Sequence, residues 1–114
     1  MKLFIICTVG FLSLFSGSVY AASFNCDKVA TVTEHAICQH RSINDADVKM
    51  ATSYNILKRL LPMGTRSVIQ DEQVKWLQLR DQCGNSSHCL TEVYKMRQQK
   101  LNLYLERVYQ HGPF

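Results

Sequence analysis

The chain has 114 residues, a formal net charge of +4 and 46% hydrophobic residues. That length holds one small domain and excludes a multi-domain enzyme or a polytopic membrane protein. The apolar content is too high for a disordered tail, and two Pro with five Gly are too few for a collagen-like or linker-like chain.

Residues Met1 to Ala21 read as a secretory signal. Lys2 supplies the positive start, Leu3 to Phe15 the apolar run, and Val19-Tyr20-Ala21 the small-x-small pattern, with cleavage before Ala22. The run is shorter than the roughly 20 residues of a membrane span, so cleavage is expected and no stable membrane anchor. Cys7 has no Leu three residues before it and lies too early for lipid attachment. Cleavage leaves 93 residues, and losing Lys2 takes the charge from +4 to +3. The basic residues are scattered among acids rather than gathered in a stripe, so nucleic acid is not an expected partner.

The mature domain, 22–114, keeps Cys26, Cys38, Cys83 and Cys89. An even number in a small exported domain implies disulfides, and three pairings are possible. Proximity in sequence favours Cys26 with Cys38 and Cys83 with Cys89, since each pair flanks a helix start or a turn. Zinc is the competing use, with His35, His40 or His88 as further ligands. The eleven and five residues between paired cysteines fit poorly with the two to four usual in structural zinc sites. Neither a metal nor a cofactor is expected.

Thr31-x-x-Glu34 is a capping-box pattern opening a short helix to about His40, with Ala36 and Ile37 facing inward. Ser42, with Asp45 three residues on, is expected to cap a second helix. Its apolar positions are Ile43, Ala46, Met50, Tyr54, Leu57 and Leu61, near the helical period. Pro62-Met63-Gly64 is expected to end it. Ser67 is expected to cap a third helix to about Gln82, with Ile69, Gln73, Trp76, Leu77 and Arg80 on one side. Gly84 to Ser87 reads as a turn, although Asn85-Ser86-Ser87 also fits a glycosylation acceptor. A fourth helix follows from about Cys89 to Tyr109, striped by Leu90, Val93, Tyr94, Arg97, Leu101, Tyr104, Leu105 and Val108. His111 to Phe114 reads as a breaker and a loose end. No segment alternates strictly, so the expected fold is all-α: three longer helices in a small antiparallel bundle plus a short N-terminal helix.

Several strings together carry a resemblance. They are Phe24-x-Cys26, Glu34-x-x-Ile37-Cys38, Asp47 and Tyr54, then Gln73-x-x-Trp76-Leu77-x-x-Arg80-Asp81-x-Cys83, and finally Cys89-Leu90, Tyr94, Arg97 and Leu101. The chain resembles the LprI-like lysozyme-inhibitor family over Phe24 to about Leu101. Ala46 departs from the pattern, standing where that family often has a larger aliphatic. The resemblance implies a periplasmic or secreted helical domain with two local disulfides. It also implies inhibition of lysozyme-type peptidoglycan hydrolases, without designating inhibitory residues.

Catalysis finds little support: no nucleophile elbow, no Gly-rich phosphate loop and no local motif that fixes two carboxylates. The expected activity is protein binding, with a peptidoglycan hydrolase or another envelope protein as partner. The alternatives are an envelope structural or stress protein without an enzyme target, and an immunity protein against a cell-wall-degrading toxin. A charge of +3 would repel a strongly basic animal lysozyme at long range. Asn85, Ser86 and His88 are the candidate contact residues, because a Cys83–Cys89 bridge would preorganise their turn. Trp76 is read as a core anchor. Arg80, beside Asp81, is expected to pair with Glu34 and pin the short helix to the third. Asp47 is expected to pair with a nearby Lys or Arg. Tyr104, Tyr109 and Phe114 put aromatic side chains near one end.

Overall fold

The computed structural model describes residues 22–111. The expected signal segment and Gly112 to Phe114 lie outside the described residues. A 3₁₀ turn at Cys26–Lys28 precedes four helices: α1 (Val32–Gln39), α2 (Arg41–Leu60), α3 (Met63–Asp81) and α4 (Ser87–His111). There is no strand among the described residues, as expected for an all-α domain. No helix among them is long and apolar enough to cross a membrane.

Local chemistry sets the boundaries. The Thr31 hydroxyl accepts the Glu34 N–H at 3.1 Å, as the capping pattern implied. Glu34 reaches back to the Ala30 N–H at 3.4 Å, one residue before the cap. The start of α2 differs from the expectation at Ser42. Only His40 separates α1 from α2: its N–H donates to the Ala36 carbonyl and its own carbonyl accepts from the Asn44 N–H. One extended residue thus satisfies both helix ends through the backbone, so Ser42 and Asp45 fall inside α2 and cap nothing.

The start of α3 also differs, lying four residues before Ser67. Pro62 forces Leu61 into an extended conformation (ψ 144°) and so stops α2. The same proline then starts α3, because a missing N–H costs nothing where donors are orphaned anyway. Its carbonyl accepts the Arg66 N–H at 2.8 Å. Read as a stop, Pro62-Met63-Gly64 is equally a start.

Contacts between helices give their directions. Tyr94 meets Asp47 and Gln98 meets Ser53, so α2 and α4 run parallel. Trp76 meets Val93 while Glu72 meets Tyr104, so α3 runs against α4. Successive long helices are therefore antiparallel, and the most extensive pairing is between α2 and α4. Ile37, Leu57, Ile69, Leu90 and Leu101 are fully buried at the centre. Tyr54, Leu77, Leu105 and Ala46 pack against this core while partly exposed. Burying each large apolar side chain contributes about 1.5–3 kcal/mol.

Both sequence-favoured disulfides are formed. Cys26–Cys38 spans 5.9 Å between Cα atoms and Cys83–Cys89 spans 5.5 Å. By loop-closure entropy each contributes about 2–3 kcal/mol, the longer loop slightly more.

Candidate functional site

The inner face of α3 is half polar: Ile69, Gln73, Trp76 and Arg80 are its buried residues. Apolar area alone would hold such a helix weakly, and hydrogen bonds complete its docking. Near its C-terminal end the Trp76 indole N–H donates to the Val93 carbonyl at 3.0 Å. The Trp76 ring meets the Tyr94 ring edge-on at 5.0 Å between centroids. Trp76 is thus a core anchor that also fixes the register of α3 on α4.

Two expected ion pairs resolve differently. Arg80 does not pair with Glu34; its Nε and Nη2 both donate to Asp81 Oδ1, at 3.0 and 2.9 Å. Its guanidinium lies over the Phe24 ring at 5.9 Å and the Trp76 ring at 6.0 Å. Burial works against the Arg80 charge, but contacts with Tyr94 and Asp81 outweigh it and raise the pKa. Glu34 is occupied at the start of α1. What ties α1 to α3 is Thr33, whose hydroxyl donates to the Asp81 carbonyl at 3.1 Å.

Asp47 is fully buried and forms no ion pair with Lys or Arg among the described residues. Instead it accepts the Tyr94 hydroxyl and the Ser23 backbone N–H, each at 2.7 Å. Hydrogen bonds from neutral donors can hold a buried carboxylate without a cation. Burial, reinforced by Asp47, pushes the Tyr94 hydroxyl far above its ordinary range, while Arg80 opposes the shift.

A second polar cluster sits midway along α3. The Arg97 side chain is buried; its Nε donates to Gln73 Oε1 at 3.0 Å and its Nη1 to Glu72 Oε2 at 3.4 Å. Its Nη2 donates to the Ile69 carbonyl at 3.4 Å, and the Tyr104 hydroxyl donates to the other Glu72 oxygen at 3.1 Å. Sequence periodicity put Arg97 on the inward stripe, but Glu72 as its acceptor was missed. The available signal was an Arg amid apolar stripe positions, which needs a buried acceptor opposite.

The turn between α3 and α4 has a different character. Gly84 adopts φ +58°, the left-handed conformation that ends many helices and that a side chain would strain. Backbone bonds from Cys83, Gly84 and Ser86 wind the turn, and the Cys83–Cys89 bridge closes it. Asn85, Ser86, Ser87 and His88 are all exposed. The Ser86 hydroxyl accepts the Cys89 N–H at 3.3 Å, so it caps α4. Asn85 and His88 form no side-chain bond among the described residues and present their polar groups outward.

These features can be set beside known proteins. The family described as lysozyme inhibitor LprI matches residues 26–110. The chain belongs to that family. It is 27% identical over 78 residues to the protein named Lipoprotein LprI from Mycobacterium tuberculosis and to that of the same name from Mycobacterium bovis. The match covers 66% of this chain and 38% of each relative, so the chain spans less than half the length of these curated relatives. No solved structure matches it.

Within this LprI domain, the strings that carried the resemblance are mostly structural. Trp76, Arg80, Asp81, Gln73, Arg97, Asp47 and Tyr94 belong to the two polar clusters, and the cysteines are bridged. Disulfide formation removes the thiolates that a zinc site would use. No three His, Cys, Asp or Glu side chains converge on a common point among the described residues. His35 bonds Gln39 at 3.0 Å on the exposed side of α1. Tyr104 is buried and Tyr109 is 75% exposed, so they form no joint aromatic patch.

Proposed function

We propose that the mature chain is an exported protein-binding domain that inhibits a lysozyme-type peptidoglycan hydrolase. The observation that carries this reading is the LprI family match across residues 26–110. The candidate inhibitory element is the Gly84–Ser86 turn together with Ser87 and His88, the exposed first residues of α4. It is exposed, polar and held by a disulfide, a left-handed glycine and a helix cap. A turn already fixed in shape loses little conformational entropy when it enters a glycan cleft. Asn85 and His88 would contact the hydrolase, while Ser86 keeps the turn in place. Export follows from the signal segment, with cleavage before Ala22. The relatives are named lipoproteins. The same reading treats it as a binder rather than an enzyme.

A lysis assay tests the proposal. The purified, oxidised mature protein is added to several peptidoglycan hydrolases, an animal lysozyme among them, at low and moderate salt. Dose-dependent inhibition that disappears on reduction is expected. No inhibition of any of them at large molar excess of folded protein contradicts it.

A further inference from the structure

The turn carries no exposed large apolar side chain, whereas four of those on the surface, Val68, Leu79, Met96 and Leu103, share one face of α3 and α4. On α3, Val68, Glu72, Lys75 and Leu79 follow the spacing i, i+4, i+7, i+11. On α4, Met96, Lys100, Leu103 and Arg107 repeat that spacing. Each quartet therefore lies along one side of its helix. Between the two helices, a cleft of about 310 Å³ is bordered by Lys75, Trp76, Met96 and Lys100, with Glu72 and Arg97. A shallow hollow shares Lys100 with it and continues past Leu103 to Arg107. The two make one track lined by Met96 and Leu103; Val68 and Leu79 lie one turn beyond it at either end, on the side of α3 that carries Glu72 and Lys75, and all four are 40–52% exposed.

The charge along this track that no ion pair neutralises is positive. Among the described residues the only ion pairs are Arg80–Asp81 and Arg97–Glu72, so Lys75, Lys100 and Arg107 hold no carboxylate. Glu72 is already occupied by Arg97 and Tyr104. Asp71, Glu92 and Glu106 border neither hollow.

We propose that the α3–α4 track is a docking groove for an amphipathic helix of a protein partner, apolar on one stripe and acidic on its flanks. Two antiparallel helices that each carry two half-exposed apolar side chains along one side, with cations between them, leave the place of a further bundle helix open. The stretch from Val68 to Leu79 spans eleven steps of α-helix, about 16 Å, or three turns of the incoming helix. The free cations then select acidic flanks. A second copy of this chain would set the same three cations against themselves, and a basic partner is disfavoured for the same reason. The proposal rests on the protein-binding reading above but does not require that the hydrolase supply the helix.

The probe is a 15-residue synthetic helix with Leu at i, i+3, i+4 and i+7 and Glu on both flanks, titrated into the ¹⁵N-labelled oxidised mature protein. The control replaces every Glu by Lys. Amide shifts are expected along Val68 to Leu79 and Met96 to Arg107. Binding should weaken about tenfold or more in Lys75→Glu/Lys100→Glu/Arg107→Glu, and less in the matching Gln variant. All three positions are exposed, so the variants should fold, which circular dichroism checks. Five results overturn the proposal: no shift at millimolar peptide, shifts confined to other surfaces, equal binding of the Lys peptide, stronger binding to phosphatidylglycerol vesicles than to the peptide, or self-association through this face. Hydrolase inhibition and peptide binding, both measured on the wild type, separate the two readings. A wild type that inhibits a hydrolase but binds no peptide removes the groove alone, and a wild type that binds the peptide but inhibits nothing removes the hydrolase alone.

Discussion

The inner face of α3 and the turn that follows it are adjacent in sequence and are fixed in opposite ways. The inner face is held by side chains: Gln73, Trp76 and Arg80 each spend their polar groups inside the molecule. The turn is held by its backbone, one bridge and the Ser86 cap, which leaves Asn85 and His88 uncommitted. The lesson is that residues which make this domain recognisable and residues free to touch a partner are largely different sets. Changes in the first set should alter stability while sparing contact, and changes in the second the reverse.

The largest effect is expected from stranding Arg97. Replacing Glu72 and Gln73 together by Leu removes both side-chain acceptors of a buried guanidinium. Stability should fall by about 3–5 kcal/mol, read by urea unfolding. Inhibition per folded molecule should survive, because the turn is untouched. Loss of inhibition by the fraction that remains folded would break the separation.

A smaller effect is expected at Tyr94. Tyr94→Phe leaves Asp47 without one of its two donors and should cost about 1–3 kcal/mol. Its signature is in the pH dependence. Because the native pKa is raised from 10.0, both states keep the proton below pH 10 and the full stability is present. Above that pH the unfolded chain releases a proton that the native state retains. Stability therefore falls with rising pH, by up to about 1.4 kcal/mol per pH unit from this group. The alkaline slope should be shallower in Tyr94→Phe than in the wild type, and an unchanged slope would place the effect elsewhere, in the smaller upward shifts of Tyr54 and Tyr104.

Much of the fold was legible because it depends on short-range patterns. The Thr31 cap, the stripes of α2 and α4 and the two near-neighbour cysteine pairs each follow from spacing within a few residues. The helix starts at Arg41 and Met63 were not, because neither has a side-chain cap. His40 serves two helices through its backbone, and Pro62 both ends one and opens the next. The polar partners were also hidden. Arg80 chose its neighbour Asp81 over Glu34, and Asp47 chose a tyrosine and a backbone N–H over a cation, because in a buried site geometry decides among several acceptable donors. At the candidate site, the exposure of the turn could be read from its composition. The commitment of Ser86 to capping α4 could be seen only once that helix was found to begin at Ser87.

The smallest effect on stability is expected from Asn85→Ala/His88→Ala, which should unfold within about 0.5 kcal/mol of the wild type. This double variant gives the most direct test, since Ser86, Gly84 and the bridge all remain. Its inhibition of a hydrolase that the wild type inhibits should be measured beside its thermal unfolding. The account predicts an unchanged midpoint together with lost inhibition. Full inhibition by the stable variant would contradict it and move the contact surface away from the turn.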